Sequence, residues 1–287
     1  MEERHGDGLP FNIHAFYMEY TMDTIGRLVL GQKESKYFDN PRVEVAKTLF
    51  MRNLDIFLVH LNYVFPSLRD LSFFLVSKFG GKLERPTIEL MDEMEASVME
   101  RIRLREMSPA GSSDDDQDFI DIFLDTAAEN VHDNSQFNLS KSAVEKTLTV
   151  DEVIGQAVIF LLAGFDTTAN ALGYTSWMLS KHPEVLAACQ AEVDEVCTED
   201  DISYEDLANL RYLEATCKET LRFFPLGAFG GPRICIGMRL ALMEEKLALA
   251  HILRKFDIVE GTREELVLLG SLTLTPEEVP VRIVPRQ

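Results

Sequence analysis

The chain has 287 residues, 46% of them apolar and 26% charged, with a formal net charge of −20 and four cysteines. That mix supports a large buried core and excludes a disordered, collagenous or disulfide-stapled chain. Two stretches, residues 108–151 and 190–206, each carry a net charge of −8, and such an acidic chain is repelled by a phosphate backbone, so no nucleic acid is expected as a partner.

The first ten residues are charged, with no apolar run behind them, and do not read as a signal peptide. Apolar residues at helical spacing predict a helix over 16–30, stopped by Gly31. Further helices are predicted over 42–62, 66–79 and 86–107, the last opening at a proline, a favoured first position. Residues 108–117 (SPAGSSDDDQ) read as an acidic linker, followed by a short helix over 118–128.

The longest helix is predicted over 149–181, with Thr149 and Glu152 spaced as a capping box and His182-Pro183 ending it. Its apolar centre is long enough to span a membrane, but Asp166, Thr167 and Thr168 at mid-length favour a buried helix. Helices over 183–196, 203–224 and 237–255 follow, and then short strands over 266–269, 272–274 and 281–284. The fold class is mainly α, with small C-terminal β elements.

Three constellations carry chemistry. The first is Ala163-Gly164-Phe165-Asp166-Thr167-Thr168, inside the long helix. A glycine costs about 1 kcal/mol in a helix interior, and close approach of a flat ligand is one reason to keep it. A hydroxyl beside an acid offers a proton relay; the plain alternative is a helix–helix contact with a satisfied polar pair. The second is Glu219-x-x-Arg222, which alone reads as an ordinary surface ion pair. The third is residues 229–237, FGGPRICIG, directly ahead of a helix. A cysteine there faces the positive end of the helix dipole and is suited to bind a soft metal as the thiolate. Arg233 offers a planar fork for a carboxylate.

Together, and in this order, the three resemble the cytochrome P-450 family of haem-thiolate monooxygenases, whose patterns are A/G-G-x-D/E-T-T/S, E-x-x-R and F-x-x-G-x-R-x-C-x-G. The resemblance runs from about residue 11 onward and is nearest the eukaryotic microsomal branch. It implies a partial fold of that family in one domain over 1–287. It implies haem b with Cys235 as the axial thiolate and metal ligand, pushing electron density toward O–O cleavage. Arg233 would pair a haem propionate and Phe229 would pack near the sulfur. Gly237 would belong to the cofactor loop, with Ala163 and Gly164 leaving room on the long helix. Thr167 and Asp166 would be the catalytic residues that manage proton delivery. Glu219 and Arg222 would be a buried structural pair.

The resemblance further implies an NADPH-dependent reductase as electron donor and a lipophilic small-molecule substrate. It implies the cytosolic face of the endoplasmic reticulum membrane, or the cytoplasm for a chain lacking an anchor, with peripheral membrane contact.

The departures are specific. The cysteine loop is one residue short, so Ala228 stands where the aromatic belongs when the register is taken from Cys235. Glu219 and Cys235 are 16 positions apart, where the family has several dozen residues, including the arginine that completes the E-x-x-R network. The chain reads as a family member shortened at the front and joined across an internal deletion. Impaired monooxygenation is expected; the alternative is a non-catalytic helical protein with weak or no haem binding.

Overall fold

The computed structural model describes residues 8–50, 64–68, 85–107, 117–128, 148–226, 235–269 and 273–286. In chain order these form β1 (Phe11–Asn12), α1 (Ile13–Leu30), α2 (Pro41–Phe50), a 3₁₀ turn (Pro66–Leu68), α3 (Arg85–Met107), α4 (Phe119–Ala128) and α5 (Val150–Lys181). They continue with α6 (Pro183–Val196), α7 (Tyr204–Asn209), α8 (Arg211–Phe223), α9 (Met238–Leu253), β2 (Phe256–Glu260), β3 (Leu268–Leu269), β4 (Thr275–Pro276) and β5 (Pro280–Pro285). The fold is mainly helical with small β elements. The expected acidic linker, most of the helix over 66–79 and the second half of that over 42–62 lie outside the described residues.

The chain divides into two compact units, one from segments within 1–21, 46–56 and 164–287, the other from segments within 22–45 and 57–163. In the second unit, α3 packs against α4. Arg101 pairs with Asp118 at 2.6 Å and with Asp121, while Arg105 reaches Asp121 and Asp125. Apolar cover comes from Met94 and Val98 on α3 and Ile120 on α4, all buried. Phe119, Phe123 and Phe160 make edge and tilted ring contacts, which favour the offset geometry of aromatic quadrupoles.

In the first unit, α9 contacts α6, α7, α8 and β2. Leu249, Ala250 and Leu253 on its inner face are fully buried. A three-stranded antiparallel sheet, ordered β1-β5-β2, closes this unit, with Phe11 opposite Val281 and Ile258 opposite Ile283. β3 and β4 pair separately, Leu269 opposite Thr275.

Four expectations are corrected. The helix over 203–224 is two helices. Ser203 and Asp206 form a capping box for α7, and Leu210 leaves helical geometry at ψ 76°. The backbone N–H groups of Tyr212 and Leu213 then donate to the Glu192 carboxylate at 2.7 and 2.8 Å, so a side chain from α6 caps the new helix start. The last helix ends at Leu253, and β2 follows where no strand was expected. Of the strand expected over 272–274, residue 272 lies outside the described residues and 273–274 precede the strand, which is Thr275–Pro276; β1 was not foreseen. The capping box of α5 is present: Thr149 N donates to Glu152 Oε2 at 2.7 Å, and Glu152 N to Thr149 Oγ1 at 3.3 Å.

Candidate functional site

The glycine-containing motif lies in the middle of α5. Ala163 is exposed, Gly164 and Thr167 are half-buried, and Phe165, Asp166 and Thr168 are buried. Successive residues turn about 100° around a helix, so Asp166 and Thr167, though adjacent in sequence, occupy different sides of α5.

The Asp166 carboxyl is held through one oxygen. Its Oδ2 accepts from Asn170 Nδ2 at 2.9 Å and from Thr273 Oγ1. Burial pushes the carboxyl above its ordinary range, and the hydrogen bonds from Thr273, Asn170 and Thr275 oppose that shift. Asn170 Nδ2 also donates to Thr275 Oγ1 at 3.1 Å, and Asn170 Oδ1 lies 2.8 Å from His14 Nε2. His14, Asn170, Thr273 and Thr275 were not read from the sequence. A polar residue at a buried helix position, four after Asp166, was the available signal; its other partners, His14 and Thr275, are more than a hundred residues away.

Cys235 is an exposed free thiol just before α9. Gly237 is the N-cap of that helix, and the Cys235 carbonyl accepts from Met238 N at 3.3 Å. Ile236 is 86% exposed and Met238 47%, so among the described residues the cysteine is followed in sequence by exposed apolar side chains. Arg233 and Phe229 lie outside the described residues. A soft sulfur donor at a helix N-terminus, beside uncovered apolar surface, fits a flat apolar group with a soft metal at its centre.

Glu219 and Arg222 do pair, at 2.8 Å, but on the surface: their side chains are 57% and 64% exposed. The expectation of a buried pair is thereby corrected. The physical reason is that only 14 residues lie between Phe223, which ends α8, and Met238, which starts α9, and no third charged partner covers the pair among the described residues. Arg222 stacks instead on the Phe223 ring, 4.4 Å from its centroid.

Two acids that sequence reading passed over are buried on α9. Glu245 accepts from Thr175 Oγ1 at 2.8 Å, and burial raises its carboxyl to about 7. Glu244 is raised by burial to about 8. Lys246, also buried, donates to the Leu207 carbonyl and to Glu214 at 2.8 Å.

Among the described residues, α5 is the one helix long and apolar enough to cross a membrane by length and composition. The sequence model of the family described as "Cytochrome P-450" matches residues 1–230 and 227–281. The chain is 35% identical over 353 positions to a Caenorhabditis elegans protein named as the cytochrome P-450 cyp-13B1, covering 99% of this chain and 68% of that one. It is 33% identical to two others of that organism named CYP13A10 and CYP13A4, covering all of this chain and 69% of each. An alignment of 353 positions against 287 residues means that this relative carries internal stretches without counterpart here. The family model breaks at 227–230, between Glu219 and Cys235. A family model spanning the chain, relatives at this identity and a helical fold with an exposed cysteine at a helix start converge on one conclusion: the chain belongs to the cytochrome P-450 family, the haem monooxygenases.

Proposed function

We propose that this chain binds haem through the Cys235 thiolate and is a monooxygenase whose hold on haem is weaker than in relatives that carry the intervening segment. The observation that carries the reading is Cys235 itself, an exposed thiol at the start of α9 beside exposed Ile236 and Met238. Haem, when bound, supplies an iron centre for activating dioxygen. The Cys235 carbonyl accepts from Met238 N at 3.3 Å, which ties the cysteine to the first turn of α9. Arg233 would pair a propionate and Phe229 would pack near the sulfur, roles carried by the motif. Ala163 and Gly164 present little side chain on α5, and Thr167 with Asp166 holds and passes protons.

The exposed Glu219–Arg222 pair supports the weakened hold. In this reading it no longer braces a covered core, because the stretch that would complete it is missing. The same observation favours the second reading, a non-catalytic helical protein with little or no haem. Electrons come from an NADPH-dependent reductase, the substrate is a lipophilic small molecule, and the site of action is the cytosolic face of the endoplasmic reticulum membrane.

The test is the ferrous–carbonyl difference spectrum of the chain after incubation with haem. Thiolate ligation gives a red-shifted Soret band that disappears in Cys235→Ala. A band that survives that substitution removes Cys235 as ligand, and a chain that takes up no haem establishes the second reading.

A further inference from the structure

Three residues spaced one turn apart on α5, Asp166, Asn170 and Tyr174, each grip one of three consecutive residues near the C-terminus. Thr273 Oγ1 donates to Asp166, Tyr174 OH donates to the Leu274 carbonyl at 2.8 Å, and Asn170 Nδ2 donates to Thr275 Oγ1 at 3.1 Å. Asn170 Nδ2 also donates to Asp166 Oδ2 at 2.9 Å, so both of its hydrogens are used. Its Oδ1 is left to accept, 2.8 Å from His14 Nε2, and the proton on the imidazole therefore lies at Nε2. Turning the amide over would set Asn170 Oδ1 against the Asp166 Oδ2 acceptor, two oxygens in contact. The imidazole approaches α5 closely where Gly173 has no side chain: a Cβ there would stand 3.2 Å from His14 Cδ2.

We propose that Asn170 and Thr273 are positioning residues for the Asp166 carboxyl. Both donate to the same oxygen, Oδ2, and so favour Oδ1 for any proton that Asp166 carries, the Thr275 hydroxyl adding a third hydrogen bond at the carboxyl, while His14 locks Asn170 in the orientation this requires. The proposal rests on the reading of Asp166 as a proton-handling group and says which of its oxygens does the handling. A proton taken up at Oδ1 leaves from Oδ1; Oδ2 stays an acceptor throughout. The network is nearly sealed, with His14, Asp166, Asn170 and Thr275 all buried. The charged or titratable neighbours acting on it are Lys47 at His14 and Tyr174 at Asp166. Burial keeps His14 neutral, lowering it to about 4, so the chain of donors and acceptors carries no cationic end near neutrality.

The experiment is a carboxyl carbon-13 titration of the full chain labelled at aspartate, with Asp166 assigned by the resonance missing from Asp166→Asn. No haem is needed. Removing the Thr273 donor in the near-isosteric Thr273→Val moves the Asp166 midpoint upward, and Thr273→Ser restores it. An unchanged midpoint in Thr273→Val, in a chain whose far-ultraviolet circular dichroism matches the parent, overturns the proposal. The imidazole nitrogen-15 shifts of the unsubstituted chain provide a second reading independent of any variant's folding. They report the Nε2–H tautomer of His14, and an Nδ1–H tautomer also overturns the proposal. Failure of the haem reading shows separately, in the carbonyl spectrum, and leaves these titrations unaffected.

Discussion

Thr175 Oγ1 donates a 2.8 Å hydrogen bond to Glu245 Oε1, joining α5 to α9 at a point where both side chains are buried. A carboxyl placed there is stable as the neutral acid, since desolvation penalises the charged form more than the Thr175 hydroxyl and the Cys217 thiol repay.

This placement sets a direction for stability against pH. Glu245 is raised from 4.5 to about 7 and Glu244 to about 8, both by burial. Between about 4.5 and those values the folded chain binds more protons than the unfolded one, so these groups make stability fall as pH rises. Urea midpoints measured at pH 5 and pH 7.5 should show a drop that shrinks in Glu245→Gln, which keeps a carbonyl acceptor for Thr175 and cannot ionise. An equal drop in parent and variant would show that Glu245 is charged in the fold.

His14 acts in the opposite sense. Burial lowers its pKa from 6.5 to about 4, against the smaller raising effect of the Asn170 hydrogen bond. Between those values the unfolded chain binds the proton and the folded chain does not, so stability is lost as pH falls through this window. His14→Gln removes the titration and can retain an N–H donor, so its urea midpoint should decline less than the parent's between pH 6.5 and pH 4.5. A decline as steep as the parent's would assign the acid sensitivity to other groups.

Gly31 ends α1 in the left-handed region, at φ 62°, with its N–H donating to the Arg27 carbonyl at 3.1 Å. A Cβ there would meet Asp118 Oδ2 at 2.4 Å and Arg101 Nη2 at 3.0 Å. Gly31→Ala therefore combines a backbone cost of roughly 1–2 kcal/mol with displacement of the Arg101–Asp118 pair. Thermal unfolding should show a clear loss, and Gly155→Ala is the control, because nothing lies within 4 Å of a Cβ at Gly155. Equal melting temperatures for the two variants would refute this account of Gly31.

Two ion pairs on neighbouring helices should respond differently to truncation. Arg222 and Glu219 face solvent, so Arg222→Ala leaves the urea midpoint near the parent value. Lys246 is buried between Glu214 and the Leu207 carbonyl, and Lys246→Ala leaves that carbonyl without its donor, at a cost on the order of 1–3 kcal/mol. A large loss in Arg222→Ala would show that the Glu219–Arg222 pair is covered in solution.

The sequence by itself determined the long helix, its capping box at Thr149 and Glu152, its stop before Pro183, and the order of the three motifs, because each is written in local spacing. Helix starts and stops depend on residues within one turn, and α6 begins and ends where its own proline and apolar period place it. Only the tertiary structure decided the break at Leu210, because its cap comes from Glu192 on another helix. It likewise decided that Glu219 and Arg222 lie in the open, since burial depends on what folds over a residue and spacing carries no record of that. The same holds for Asp166: its place in the motif could be read from neighbours, whereas the amide and hydroxyl donors that hold its carboxyl are those of Asn170 and Thr273, with Asn170 tied in turn to His14 and Thr275, brought together by packing across more than two hundred positions of chain.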